Sequence, residues 1–94
     1  MVHSYWVYIM TNANNHVLYT GVTNDLLRRA AQHKAGRGSA FTSRYRVHKL
    51  VFYEEFRRVT DALAAEKRIK AGSRAKKITL IESLNPEWKD LPAE

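Results

Sequence analysis

Two short runs of aromatic and β-branched residues, Trp6 to Met10 and Val17 to Val22, flank Asn12, Ala13, Asn14 and Asn15, which are mostly turn formers. This pattern demands a β-hairpin, because such runs fit a half-buried pleated surface and the asparagines tolerate the backbone of a tight turn. If those four residues form the loop, Met10 lies opposite Val17, Ile9 opposite Leu18 and Tyr8 opposite Tyr19. Both phenols then point to one face. Trp6 would face Gly21, where the missing side chain lets another backbone or a ligand approach the sheet.

A helix follows. Thr23 or Asn24 can cap it, and Asp25 puts a carboxylate at its positive end. It is expected to run to about Lys34 and to stop before Gly36. Leu26, Arg29, Ala30 and His33 recur at helical spacing, so two polar residues share the inward stripe with two apolar ones. From Ala35 to Arg46, two glycines, Ser39, Thr42 and Ser43 stand among Arg37, Arg44 and Arg46. That stretch reads as a mobile basic loop around Phe41, able to follow a phosphate backbone. Val47 to Phe56 is apolar enough for a third strand that completes an antiparallel sheet. Thr60 resembles an N-cap and Asp61 a first-turn acid for a helix ending at Gly72, with Glu66 at the edge of its apolar stripe. A last helix spans Ser73 to Leu84 and is ended by Pro86, after which Trp88 and Leu91 fold back as a cover.

The expected fold is therefore α+β, a three-stranded antiparallel sheet flanked by helices, in one domain over residues 1–94. No cysteine is present among the 94 residues, which removes disulfides and thiolate metal sites and fits a reducing compartment. The apolar runs are far too short to span a bilayer, and the N-terminus lacks the layout of a signal peptide. A soluble cytoplasmic protein is expected.

Charge narrows the partners. Lys and Arg number 16 against 9 Asp and Glu, a net +7, and 15 of those 16 cations fall between Arg28 and Lys77 beside only 4 acids. A polyanion such as nucleic acid is the natural partner of that field, with a solubilising surface as the plainer alternative. No helix pairs a basic face with a broad aromatic one, which argues against a membrane surface.

The order of residues adds a specific likeness. Trp6, Val7 and Tyr8, then ten residues, then Tyr19, Thr20 and Gly21 resemble the paired motif of the GIY-YIG nuclease family, with Trp6 in place of the family's first glycine and Thr20 in the middle of the second triplet. Arg29 lies eight residues after Gly21 and His33 four later, as in the family. Glu66 matches its helical metal-binding glutamate, and Asn85 its late asparagine. The resemblance is to short, stand-alone bacterial members.

That resemblance implies divalent-metal-dependent hydrolysis of phosphodiesters in DNA, in DNA repair or processing. It implies that Glu66 holds a single Mg²⁺ or Mn²⁺ and that Arg29 offsets charge on the phosphate. Tyr19 would be the general base toward water, oriented by Tyr8, with Arg29 and His33 lowering a phenol pKa that is ordinarily near ~10. Gly21 and Asn85 would support the site. Arg28, Arg37, Arg44, Arg46 and Lys70 are the expected nucleic-acid contacts, on DNA or RNA, with structure favoured over sequence. The competing reading is a basic DNA- or RNA-binding module that keeps the scaffold without cutting. A third is a protein-interaction role, the basic surface meeting an acidic partner in a repair or ribosomal assembly. Tyr8 and Tyr19 also read as ordinary strand aromatics, and Glu66 as an ion-pair partner of nearby lysines. His3, His16 and His48 lack partners at metal-ligand spacing.

Overall fold

The computed structural model describes residues 3–93. Three antiparallel strands, β1 (Tyr5–Thr11), β2 (Leu18–Thr23) and β3 (Lys49–Phe56), form one sheet with β1 in the centre. Four helices accompany them: α1 (Leu26–Lys34), α2 (Ala40–Arg44), α3 (Val59–Ala71) and α4 (Arg74–Leu84). The expected α+β architecture is thus the observed one.

The hairpin register differs from the simplest expectation. Tyr8 pairs with Gly21, Met10 with Tyr19 and Trp6 with Thr23, a slip of two residues. The cause is a longer loop. Asn12 Oδ1 accepts the backbone N–H groups of His16 and Val17 at 2.8 and 3.0 Å, and the Thr11 hydroxyl donates to the Val17 carbonyl at 2.7 Å. With Asn15 at φ 61°, the turn closes only at Val17. A slip of two leaves every side chain on its expected face, because the strand period is two. Gly21 lies under Tyr8 rather than Trp6: a Cβ there would come within 2.5 Å of the phenol oxygen, so the space is filled from within the chain.

β1 is covered on both faces. Val7 and Ile9 meet Val51, Phe52, Ala62, Ala65, Ile69 and Ile81, whereas Tyr8 and Met10 meet Leu26, Val47 and Leu50 on the other side. Burying one such side chain contributes about 1.5–3 kcal/mol. The sheet is irregular between Ile9 and Met10, which pair with Phe52 and Leu50, so Val51 is an extra residue. That bulge explains why Leu50, Val51 and Phe52 are all buried in succession.

Three boundaries move. Asp25, not Thr23 or Asn24, caps α1 by accepting the Arg28 N–H at 3.1 Å, while Thr23 Oγ1 accepts the Asp25 N–H. Helix α3 starts two residues before its expected first turn, with Arg58 at the N-cap position and no side-chain cap; Thr60 lies inside it. The stretch expected as a mobile loop contains α2, capped by Ser39, whose Oγ accepts the Thr42 N–H at 3.1 Å. Beyond α4, the tail returns to the sheet: Leu91 N–H donates to the Leu50 carbonyl at 2.7 Å, and Asp90 accepts the Leu50 N–H. Trp88 packs on the α3–α4 core, so both expected cover residues do fold back. Among the described residues no helix is long and apolar enough to cross a membrane.

Candidate active site

On the α1 side of the sheet, four of the singled-out residues converge. Tyr8 comes from β1, Tyr19 from β2, and Arg29 and His33 from successive turns of α1. Leu26, Ala30 and His33 form the buried stripe of α1, with Arg29 half-buried at its margin, as the spacing predicts. The rings of Tyr8 and Tyr19 both lie against His33, with centroids 5.7 and 5.3 Å away.

The hydrogen bonds define a chain. Arg29 Nε donates to the Tyr8 oxygen at 3.4 Å, and the same oxygen lies 3.0 Å from His33 Nε2. His33 Nδ1 lies 3.0 Å from Thr42 Oγ1, which in turn donates to the Ser39 carbonyl at 3.3 Å. Proton positions follow from satisfiability. Guanidinium only donates, so the buried Tyr8 O–H has His33 Nε2 as its acceptor. This assigns the imidazole proton to Nδ1, which donates to Thr42. Every member of the buried network is then paired, the condition under which such a network rigidifies a site.

Electrostatics follow the burial. His33 is fully buried, and desolvation together with the Arg29 charge lowers its pKa to about 4, so the ring is neutral near pH 7 and, against the expectation, brings no positive charge to lower a phenol pKa; of the two expected helpers only Arg29 is a cation. Burial raises the Tyr8 pKa, opposed by the Arg29 hydrogen bond and reinforced by the charges of Tyr19 and Glu66. Tyr8 therefore stays a phenol at neutral pH. The Arg29 pKa is raised, first by its bond to Tyr8, with Tyr19 also contributing, so its charge is permanent. Arg29 Nη1 donates to Gln32 Oε1 at 3.0 Å, which fixes the fork.

Glu66 stands on α3, half-buried, with Oε2 at 3.2 Å from Lys70 Nζ. Its tie to the phenols is its charge at Tyr8. Lys70 shares an open hollow with Tyr19, Thr20, Phe41 and Lys77. Arg28 is exposed beside Arg29 in a second hollow, and Arg37 and Arg44 are exposed on the segment around α2. Arg46 lies elsewhere, in a hollow with Asn12, His48 and Lys49 near the hairpin loop. Asn85 is not drawn into the cluster. It caps α4, and its amide donates to the carbonyls of Val51 and Lys89 at 3.2 and 2.7 Å while its oxygen accepts the Lys89 N–H. It ties the tail to the β3 bulge.

Four residues lay outside the expected set. Thr42 orients His33, and Gly38 packs so tightly on that ring that a Cβ would come within 2.0 Å of Nδ1. Phe41 and Lys77 line the hollow beside Tyr19. The serine three residues before Thr42 is a cap signal that could have revealed α2. Nothing local marks Lys77, which reaches the hollow only through the packing of α4.

The family model of the GIY-YIG catalytic domain matches residues 4–79. This chain belongs to the GIY-YIG family. A UPF0213 protein of Natronomonas pharaonis is 38% identical over 81 residues, covering 86% of this chain and 94% of its own. One from Pediococcus pentosaceus is 30% identical over 82 residues, covering 87% and 85% respectively. The solution NMR structure of the UPF0213 protein BH0048 from Bacillus halodurans matches with a TM-score of 0.60 and 29% identity, over 93% of this chain and 92% of that one. GIY-YIG proteins are nucleases that generally use divalent metal ions.

Among the described residues, Glu66 is a donor that fits such an ion. Among the described residues no three His, Cys, Asp or Glu side chains gather to hold a metal. His3, His16 and His48 are all exposed. A lone, half-buried carboxylate such as Glu66 suits an oxygen-seeking ion that keeps waters and takes further ligands from a substrate phosphate.

Proposed function

We propose that the chain is a divalent-metal-dependent endonuclease that hydrolyses phosphodiester bonds in DNA during its repair or processing, selecting structure rather than sequence. The observation that carries this reading is the convergence of Tyr8, Tyr19, Arg29 and His33 on one spot, within electrostatic reach of Glu66.

Each group has a task that its surroundings support. Arg29, cationic and fixed by Gln32, holds the phosphate and offsets charge that builds as water adds. Tyr19, half-buried and lining the open hollow, is the phenol that water can reach, and in its phenolate form, with the Arg29 charge beside it, it takes the proton from the attacking water. Tyr8 is buried and stays protonated, so it orients rather than accepts. Neutral His33 holds Tyr8 through Nε2. Glu66 would hold Mg²⁺ or Mn²⁺, which when bound supplies Lewis-acid stabilisation of the phosphate and leaving oxygens. Arg28, Arg37, Arg44 and Lys70 supply phosphate contacts, so affinity falls steeply with salt.

Nicking of supercoiled plasmid and of branched DNA should require Mg²⁺ or Mn²⁺ and should vanish in Glu66→Ala. Cleavage that persists in excess chelator would end the proposal. The Lys70 ammonium on Glu66 favours a second reading, a DNA- or RNA-binding module that does not cut. Salt-dependent binding without cleavage in any metal, unchanged by Glu66→Ala, would select it.

A further inference from the structure

Burial on α2 is inverted. Its buried side chain is the polar Thr42, while Phe41 and Tyr45 leave 44% and 43% of their surfaces exposed. They lie one turn apart, with ring centroids 4.8 Å from each other. Large aromatics exposed side by side mark a surface that something covers.

Their position says what. The Tyr19 ring stands 6.0 Å from Phe41 at an interplanar angle of 30°, so Tyr19, Phe41 and Tyr45 form a line of three rings leading outward from the phenol cluster. Cations accompany the line. The Arg44 guanidinium carbon lies 5.5 Å from the centre of the Tyr45 ring, Arg37 is exposed on the segment before α2, and Lys70 and Lys77 share the hollow with Phe41. The occupant must offer flat π faces and a row of negative charges. Paired bases keep their faces inside the helix, whereas unpaired bases present them to aromatic side chains.

We propose that Phe41 and Tyr45 are a stacking platform for unpaired bases next to the phosphate held by Arg29, so that the substrate is a nucleic acid with a single-stranded segment at the cleavage point. This rests on the nuclease reading only for where the phosphate sits. The platform itself is a binding site and can be tested without turnover.

The experiment measures binding by fluorescence anisotropy, in chelator and at one ionic strength. Its probes are a short single-stranded oligodeoxynucleotide, its ribo counterpart and a blunt DNA duplex of equal length. Phe41→Ala and Tyr45→Ala should each weaken single-strand binding about 5- to 100-fold and leave duplex binding within about twofold. The tighter of the two single strands identifies the sugar. Phe41→Trp should retain affinity, with its added fluorescence quenched by the single strand and not by the duplex, which guards against a folding defect in the alanine variants. Equal losses on single strand and duplex, or no loss on either, overturn the platform. A parallel nicking assay separates the two readings. Absent cleavage with single-strand selectivity intact sinks the nuclease and leaves the platform standing. Retained cleavage without selectivity sinks the platform alone.

Discussion

β1 sends alternate side chains into two unlike interiors. Val7 and Ile9 enter a core of aliphatic and aromatic side chains under α3 and α4, held chiefly by packing. Tyr8, one residue away, enters a region where apolar neighbours such as Leu26 and Leu50 surround a hydrogen-bonded line of phenol, imidazole and hydroxyl. The first interior tolerates exchange of shape at a graded cost; the second depends on every proton having a partner. A packed face behind the strand fixes where the polar face stands, so the two interiors should respond differently to substitution.

The largest expected effect falls on the apolar side. Ile9→Ala should destabilise the fold by about 2–5 kcal/mol in a urea titration, since Ile9 is fully buried at the centre of the sheet. Nicking activity per folded molecule should hardly change. A large loss of activity with little loss of stability would erase the distinction between the two faces.

On the polar side the sharper probe is Thr42→Val, which keeps the shape and removes the acceptor of His33 Nδ1–H. A buried donor without a partner should cost about 1–3 kcal/mol, with Thr42→Ser restoring most of it. The same variant should displace the pH profile of nicking, which a defect of packing alone would not move. Acid tests the imidazole directly. His33 titrates at about 4 in the fold against an ordinary value of 6.5, so between those limits the unfolded chain binds the extra proton. Its contribution to stability is complete above pH 6.5 and drains away as pH falls toward 4, by up to about 1.4 kcal/mol per pH unit. His33→Gln should flatten that slope. An unchanged slope would mean that the ring is solvated or already charged.

How much of this was legible beforehand divides along the same line. The hairpin, the inward stripe of α1 and the shared face of Tyr8 and Tyr19 follow from periodicity, which survives the two-residue slip because alternation repeats every second residue. The register does not follow, because it turns on Asn12 accepting two backbone N–H groups across the loop, an event invisible in composition. The glycines and arginines of the Ala35–Arg46 segment predict a mobile loop. Its order comes instead from the Ser39 cap and from His33, a residue contributed by another helix. Asn85 is the converse case. Its residue type and place in the chain match the family, while its side-chain bonds all go to the β3 bulge and the tail.

The smallest expected effect lies where the two interiors meet, at the ion pair of Glu66 with Lys70 on α3. Their side chains are 22% and 56% exposed and the charges are 3.2 Å apart at helical spacing, so breaking the pair should cost only about 0.3–0.5 kcal/mol. Its consequence for function should be larger than its consequence for stability, because an ammonium on Glu66 competes with any divalent cation for the same oxygen. Lys70→Gln should therefore lower the Mn²⁺ concentration at half-saturation, measured by calorimetry without substrate. It should also reduce the salt dependence of DNA binding by about one phosphate contact. If Mn²⁺ affinity is unmoved by Lys70→Gln and by Glu66→Ala alike, then α3 belongs wholly to the packed face, and the phenols and the guanidinium on the other side have no metal to work with.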